Sequence, residues 1–200
     1  DKQFYSDEWA ELCVNLYCSG FLKHEYGYFP QCMSRYFFRN PDKLLEKIRG
    51  DDALYFEFQW HYRLPSEAFF DIGQLLHWTD VMINASDSDA DKVTLVGSIL
   101  GKAPDGDDGI FPIETVRKLL KIKKNEELTT AVAREKINSL GLRDVEDGKK
   151  EREKSDIYKM QARAMEIDYP QTSVILRILA NFYERESKRD QISSEIEPLQ

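Results

Sequence analysis

The sequence predicts an all-α protein, an irregular multi-helix bundle or array of helical hairpins, with residues 54–64 as the one place where minor β structure competes. Three observations carry this. Apolar residues recur at the i, i+3, i+4 spacing of one helix face through most of the chain. Asn, Ser, Pro and Gly fall where helix starts and stops require them. Only one stretch alternates apolar and polar residues as a strand does.

Asp7 to Phe21 sets Trp9, Leu12, Cys13, Leu16 and Tyr17 on one stripe, with Ser6 as N-cap and Gly20 near the end. The pattern resumes at Pro30 through Met33, Tyr36 and Phe37. Asn40-Pro41 then reads as an N-cap followed by Pro at the first helical position, opening a short helix with Leu44, Leu45 and Ile48 inward and Gly50 as its stop. From 54 to 64, Leu54, Phe56, Phe58, Trp60, Tyr62 and Leu64 alternate with Tyr55, Glu57, Gln59, His61 and Arg63. A strand there needs a partner, and the nearby Val93 to Val96 run also fits a helix through Val93, Val96, Ile99 and Leu100. A largely buried helix is the better reading.

Pro65-Ser66 opens a long helix through Phe69, Phe70, Ile72, Leu75, Leu76, Trp78 and Met82, fading into the polar run Asn84 to Asp91. After the loop Pro104 to Gly109, Pro112 opens a helix carrying Ile113, Val116, Leu119 and Leu120, and Asn125 caps another with Leu128, Val132 and Ile137 inward. Asp147 to Asp168 alternates charge signs and offers apolar side chains only at Ile157, Met160, Ala164 and Ile167, the pattern of a surface helix touching its neighbours along one narrow stripe. Pro170 begins the last helix, with Ile175, Ile178, Leu179 and Phe182 inward and Glu184 to Asp190 facing water. It forms an antiparallel hairpin with its predecessor, and Ser193 to Gln200 frays.

Composition divides the chain. Residues 1–100 hold 9 Lys and Arg against 16 Asp and Glu, residues 101–200 hold 19 against 20, and 19 of the 24 aromatics lie in the first half. The expectation is an aromatic-rich acidic half over 1–103, a charged helical half packed on it over 104–192, and a tail over 193–200, together making one domain. A formal charge of −8 argues against a general polyanion binder, which works by placing Lys and Arg against phosphates. No apolar run approaches the roughly 18 residues of a membrane span, so no membrane partner is expected. Three cysteines, Cys13, Cys18 and Cys32, with no CxxC spacing point to a reducing, cytoplasmic setting. A chain that opens at Asp1 without a signal peptide pattern reads as a segment of something longer.

Four groups of residues invite a functional reading. Asp105, Asp107 and Asp108, on a loop with Gly106 and Gly109, resemble a cation-wrapping string. The register fails the EF-hand test, because aligning Gly109 with the required glycine puts Pro104 and Gly106 where acidic ligands belong, and aligning Asp105 with the first ligand puts Ile110 at the glycine position. No metal and no cofactor is therefore expected; an acidic turn before a helix N-terminus accounts for the loop. His61 and His77 are the histidines to choose between for a general base, converging with the three aspartates in a cleft if the protein is an enzyme. The basic run Arg117, Lys118, Lys121, Lys123 and Lys124 complements a helix C-terminus, with phosphate contact on nucleic acid as the alternative. Tyr26, Tyr28, Phe29, Tyr36, Phe37 and Phe38 form an aromatic cluster that either packs a core or presents a docking surface. No GxSxG elbow, P-loop or dinucleotide fingerprint is present. The expected function is thus a non-catalytic helical interaction or assembly module, its partner another protein, the remainder of a longer chain, or a second copy.

Overall fold

Helix-forming periodicity prevails throughout the computed structural model, which describes residues 7–18, 31–49, 51–84, 89–140 and 148–196; every regular element among them is helical. The chain divides into two compact units, residues 1–100 and 101–200.

The first unit contains α1 (Asp7–Cys18), α2 (Gln31–Arg39), α3 (Pro41–Ile48), α4 (Asp52–His61), a 3-10 turn (Ser66–Phe69), α5 (Ile72–Asn84) and α6 (Asp89–Leu100). Its core is an aromatic lattice drawn from three helices. Phe37 of α2 meets Phe58 of α4 edge-on at 5.2 Å, and Tyr62 stacks on Trp78 of α5 at 6.3 Å with planes 10° apart. Each of these rings is completely or almost completely buried. Buried aromatics contribute large apolar areas, and edge-to-face pairs add about 0.5–1.5 kcal/mol each beyond area alone. The 54–64 stretch is helical as far as His61, where α4 ends and residues 62–65 follow without regular structure, and helical geometry sorts its alternating side chains onto two faces. Phe58 and Tyr62, four residues apart, turn inward, while Phe56 and Trp60 turn outward.

Three sequence expectations need correction here. The α1 stripe is rotated: Val14 and Tyr17 are buried while Trp9 and Leu12 are exposed, because α1 packs on α2 along its Val14 side. Asn40 stands at the N-cap position of α3 with Pro41 after it, as read, but its side chain makes no capping bond: the amide donates to the Tyr36 carbonyl at 3.0 Å and so terminates α2. The long helix expected from Pro65 is two pieces. The 3-10 turn stops at Phe69, and Asp71 starts α5 by accepting the backbone N–H groups of Gly73 and Gln74 at 2.9 and 3.0 Å.

The second unit contains α7 (Glu114–Lys123), α8 (Glu126–Asn138), α9 (Lys149–Met165) and α10 (Pro170–Ile196). Asn125 caps α8 as read from the sequence, its Oδ1 accepting the Leu128 N–H at 2.8 Å. The dominant packing is α9 against α10, and there the sequence reading fails in an instructive way. The expected contact stripe faces out: Ile157, Met160 and Ile167 are 49%, 65% and 90% exposed. The buried positions of α9 are Glu151, Ser155 and Ala162. On α10, Ser187 and Asp190 are buried within the segment expected to face water.

Small size explains the inversion. Ser155 Oγ donates to the Ala180 carbonyl at 3.0 Å, Ser173 Oγ to the Ala162 carbonyl at 2.8 Å, and Ser187 Oγ to the Gly148 carbonyl at 2.7 Å. The pairs 148–187, 155–180 and 162–173 advance by seven residues on one chain segment and retreat by seven on the other, an antiparallel heptad register. Gly, Ala and Ser at those positions let the backbones approach closely enough for side-chain hydroxyls to reach across to carbonyls. A large apolar residue there would force the helices apart. Gly148 is the tightest point: it has φ +73°, and a Cβ built on it would lie 2.4 Å from the Ser187 carbonyl oxygen.

Gly109 has nearly the same φ, +70°, with nothing near its missing Cβ. Both alanine variants incur the left-handed backbone cost of about 1 kcal/mol, and Gly148→Ala adds a clash with backbone. Urea unfolding is expected to show Gly148→Ala destabilised by at least about 1 kcal/mol more than Gly109→Ala. Equal losses would mean that the seam is looser than described.

Candidate functional site

The acidic loop Pro104 to Ile113 closes on itself through backbone bonds, with Gly106 N–H donating to the Ile110 carbonyl at 3.0 Å and Ile113 N–H to the Pro104 carbonyl at 2.8 Å. The carboxylates of Asp108 and Asp105 are engaged by cations of this same unit. Arg117, only 3% exposed, sends Nη1 and Nη2 to the two carboxylate oxygens of Asp108 at 2.7 and 2.6 Å. Its Nε donates to the Pro112 carbonyl at 2.5 Å, and Nη2 also donates to the Ile110 carbonyl. Such a bidentate fork matches carboxylate geometry better than any lysine. Arg117 beside it holds the Asp108 carboxyl down at about 2, helped by the Ile110 N–H.

Lys136 of α8 reaches Asp105 at 3.1 Å while lying 4.3 Å above the Phe111 ring. Gln161 of α9 donates to the Gly109 carbonyl at 3.3 Å. The loop is therefore a clasp held by α7, α8 and α9. Asp107 is exposed. Among the described residues no group of three or more His, Cys, Asp or Glu is placed to hold a metal ion.

The same geometry disperses the basic run. Arg117 is buried inside the clasp, Lys118 pairs with Glu114 at 2.9 Å, and Lys121 lies 5.6 Å from the centre of the Tyr169 ring. Lys123 stands in the last turn of α7, and Lys124 takes the left-handed conformation that ends it. His61 is half-buried at the end of α4 and His77 is exposed on α5, both in the first unit, whereas the three aspartates belong to the second. Tyr36, Phe37 and Phe38 are buried in the aromatic lattice and present no surface, because α2 turns all three towards its neighbours. Tyr26, Tyr28 and Phe29 lie outside the described residues.

Two features escaped the sequence reading. Cys13 of α1 and Cys32 of α2 are unbridged and close enough to influence one another: burial pushes the Cys32 thiol up, and Cys13 adds to the effect. Cysteines 19 positions apart carry no sequence signal of such pairing. The second is the outward apolar face of α9, where Ile157, Met160 and Ala164 are exposed, continued by Ile167 in the following turn. Exposed apolar residues aligned on one helix face are uncommon on a surface that is otherwise charged. Comparison with known protein families, curated proteins and solved structures gives no match to this chain.

The clasp makes a pH prediction. A carboxyl whose folded pKa is depressed supports folding above its unfolded pKa and withdraws that support as pH falls through the folded value. For Asp108 the window runs from about pH 4 down to about 2. Its side chain is 46% exposed, so water screens the pair and the effect is modest. Asp108→Asn is expected to flatten the loss of stability across that window, read by thermal melts at stepped pH. Arg117→Met leaves the Pro112 carbonyl without its donor and takes the guanidinium from Asp108, and is expected to cost about 2–3 kcal/mol at neutral pH. An unchanged melting point in Arg117→Met would contradict the clasp.

Proposed function

We propose that this chain is a non-catalytic helical interaction module that docks through the outward face of α9, with a second copy of itself as the first partner. The observation that carries the reading is the inversion of α9, whose larger apolar side chains stand in solvent while Ser155 and Ala162 are buried. Among the described residues, the α9–α10 seam is built from Gly148, Ser155 and Ala162 and does not use Met160 or Ile167.

Self-association is favoured by spacing. The four positions are symmetric about residue 162, so that on an antiparallel twofold axis Ile157 of one copy faces Ile167 of the other and Met160 faces Ala164. A self-complementary patch of this kind needs no second surface. Its strength follows from its size. Three large apolar side chains per copy contribute about 1.5 kcal/mol each, and association costs about 4–15 kcal/mol. The six side chains of the pair supply about 9 kcal/mol, and against the low end of that cost the balance is a weak dimer, with Kd between about 0.1 and 1 mM.

Sedimentation equilibrium over that concentration range tests this. The wild-type chain is expected to pass from monomer to dimer, and the Met160→Glu/Ile167→Glu double variant to stay monomeric with an unchanged urea midpoint, since both residues are exposed. A wild-type chain that is monomeric at every concentration, or a double variant that associates equally well, would overturn the reading.

A further inference from the structure

The apolar face of α9 is not uniform along its length. At about 100° per residue, Met160 and Ala164 point within about 20° of the direction opposite the buried Ala162. They are the centre of the stripe. In the antiparallel twofold pairing about residue 162, Met160 of each copy lies about 3 Å along the helix from the axis, whereas Ile157 and Ile167 lie about 7.5 Å out. Met160 faces Ala164 of the other copy, and the small alanine leaves room for a long, unbranched side chain.

This central residue is also the one whose polarity a reaction can change. Isoleucine is inert to mild oxidants, but a thioether is not. The chain has four methionines, of which Met33 and Met82 are fully buried in the first unit, Met165 is half-buried, and Met160 is 65% exposed. Pairing therefore moves the most accessible thioether of the chain into the middle of the contact.

Resting on the α9 docking proposed above, we infer that Met160 is an oxidation switch, whose conversion to the sulfoxide by a hydroperoxide releases the dimer. The sulfur takes one oxygen from the peroxide: the O–O bond breaks, an S–O bond forms, and with hydrogen peroxide the other oxygen leaves as water. Sulfur gives up two electrons and the peroxide accepts them. The product sets a polar S–O group against the Ala164 methyl, which has no proton to donate. Each dimer would enclose two such groups, and a buried acceptor without a partner is costly enough to raise Kd at least about tenfold. The fold itself is spared, because the seam with α10 runs along the opposite side of α9 through Ser155 and Ala162.

The test is sedimentation equilibrium of the full chain up to about 1 mM, the weak end of the expected dimer range, before and after hydrogen peroxide. Peptide mass spectrometry identifies the oxidised methionine, and circular dichroism checks that the helices persist. The reduced chain is expected to associate and the oxidised chain to stay monomeric. Methionine sulfoxide reductases for both epimers, supplied with dithiothreitol, should restore association, and dithiothreitol alone should not. Met165→Leu should behave as wild type in every arm. Reduced and oxidised chains that associate equally well, with the Met160 sulfoxide present, overturn the switch and leave the docking face standing. A reduced chain that is monomeric throughout overturns both. Recovery with dithiothreitol alone would assign the effect to Cys13 or Cys32, and recovery in oxidised Met165→Leu would assign it to Met165; either result overturns the proposal.

Discussion

The close approach of α9 and α10 governs how the second unit presents itself. Three pairs at heptad spacing bring serine hydroxyls onto carbonyls across the seam, and each pair works only because a small residue stands opposite. Burying hydroxyls is tolerable when each finds an acceptor. Once that register is set, the helix has no freedom to turn its oily side inward. The outward display of Ile157, Met160 and Ile167 is therefore a consequence of the seam.

Charge in this half is used for architecture. Asp108 and Asp105 look like ligands on a flexible loop until Arg117 and Lys136 are placed beside them; then they are the fixed points of a clasp that joins three helices. A bidentate arginine that is also bonded to two carbonyls is an anchor with most of its donors committed. This accounts at once for the acidic loop and for the loss of Arg117 from any phosphate-contacting patch. The first unit handles its arginines differently. There Arg35 and Arg39 share Glu67, and Arg63 donates to the carbonyls of Trp60 and Tyr62 at the end of α4.

Much of the fold was legible in the sequence, because periodicity, Pro and Asn report directly on helix formation. Asn125 as a cap, and Leu44, Leu45 and Ile48 as an inward face, were read from spacing alone. The helix that runs through this region to His61 was readable only by asking what a strand there would pair with. The failures share one cause. A search for apolar stripes assumes that helices meet through large side chains, and so it assigned Ile157, Met160, Ala164 and Ile167 to the interior. The contrary signal was present as Gly148, Ser155 and Ala162 at intervals of seven, answered by Ser173, Ala180 and Ser187. Polar and small residues at that interval are invisible to a hydropathy pattern. Asp71 was missed for a similar reason, since Phe69, Phe70 and Ile72 around it mimic an uninterrupted helix. Of the candidate site residues, the sequence supplied identities but no pairings: nothing in the string links Asp108 to Arg117 or Asp105 to Lys136.

The central claim is the orientation of α9, and methionine oxidation reads it directly. Met160 is exposed, whereas Met33 and Met82 are fully buried in the first unit. Hydrogen peroxide treatment of the native chain at a few micromolar, below the expected dimer range, followed by peptide mass spectrometry, should convert Met160 to its sulfoxide while Met33 and Met82 stay protected. Met160 protected to the same degree as Met33 and Met82 would place the apolar stripe inside the protein and remove the basis for the docking face.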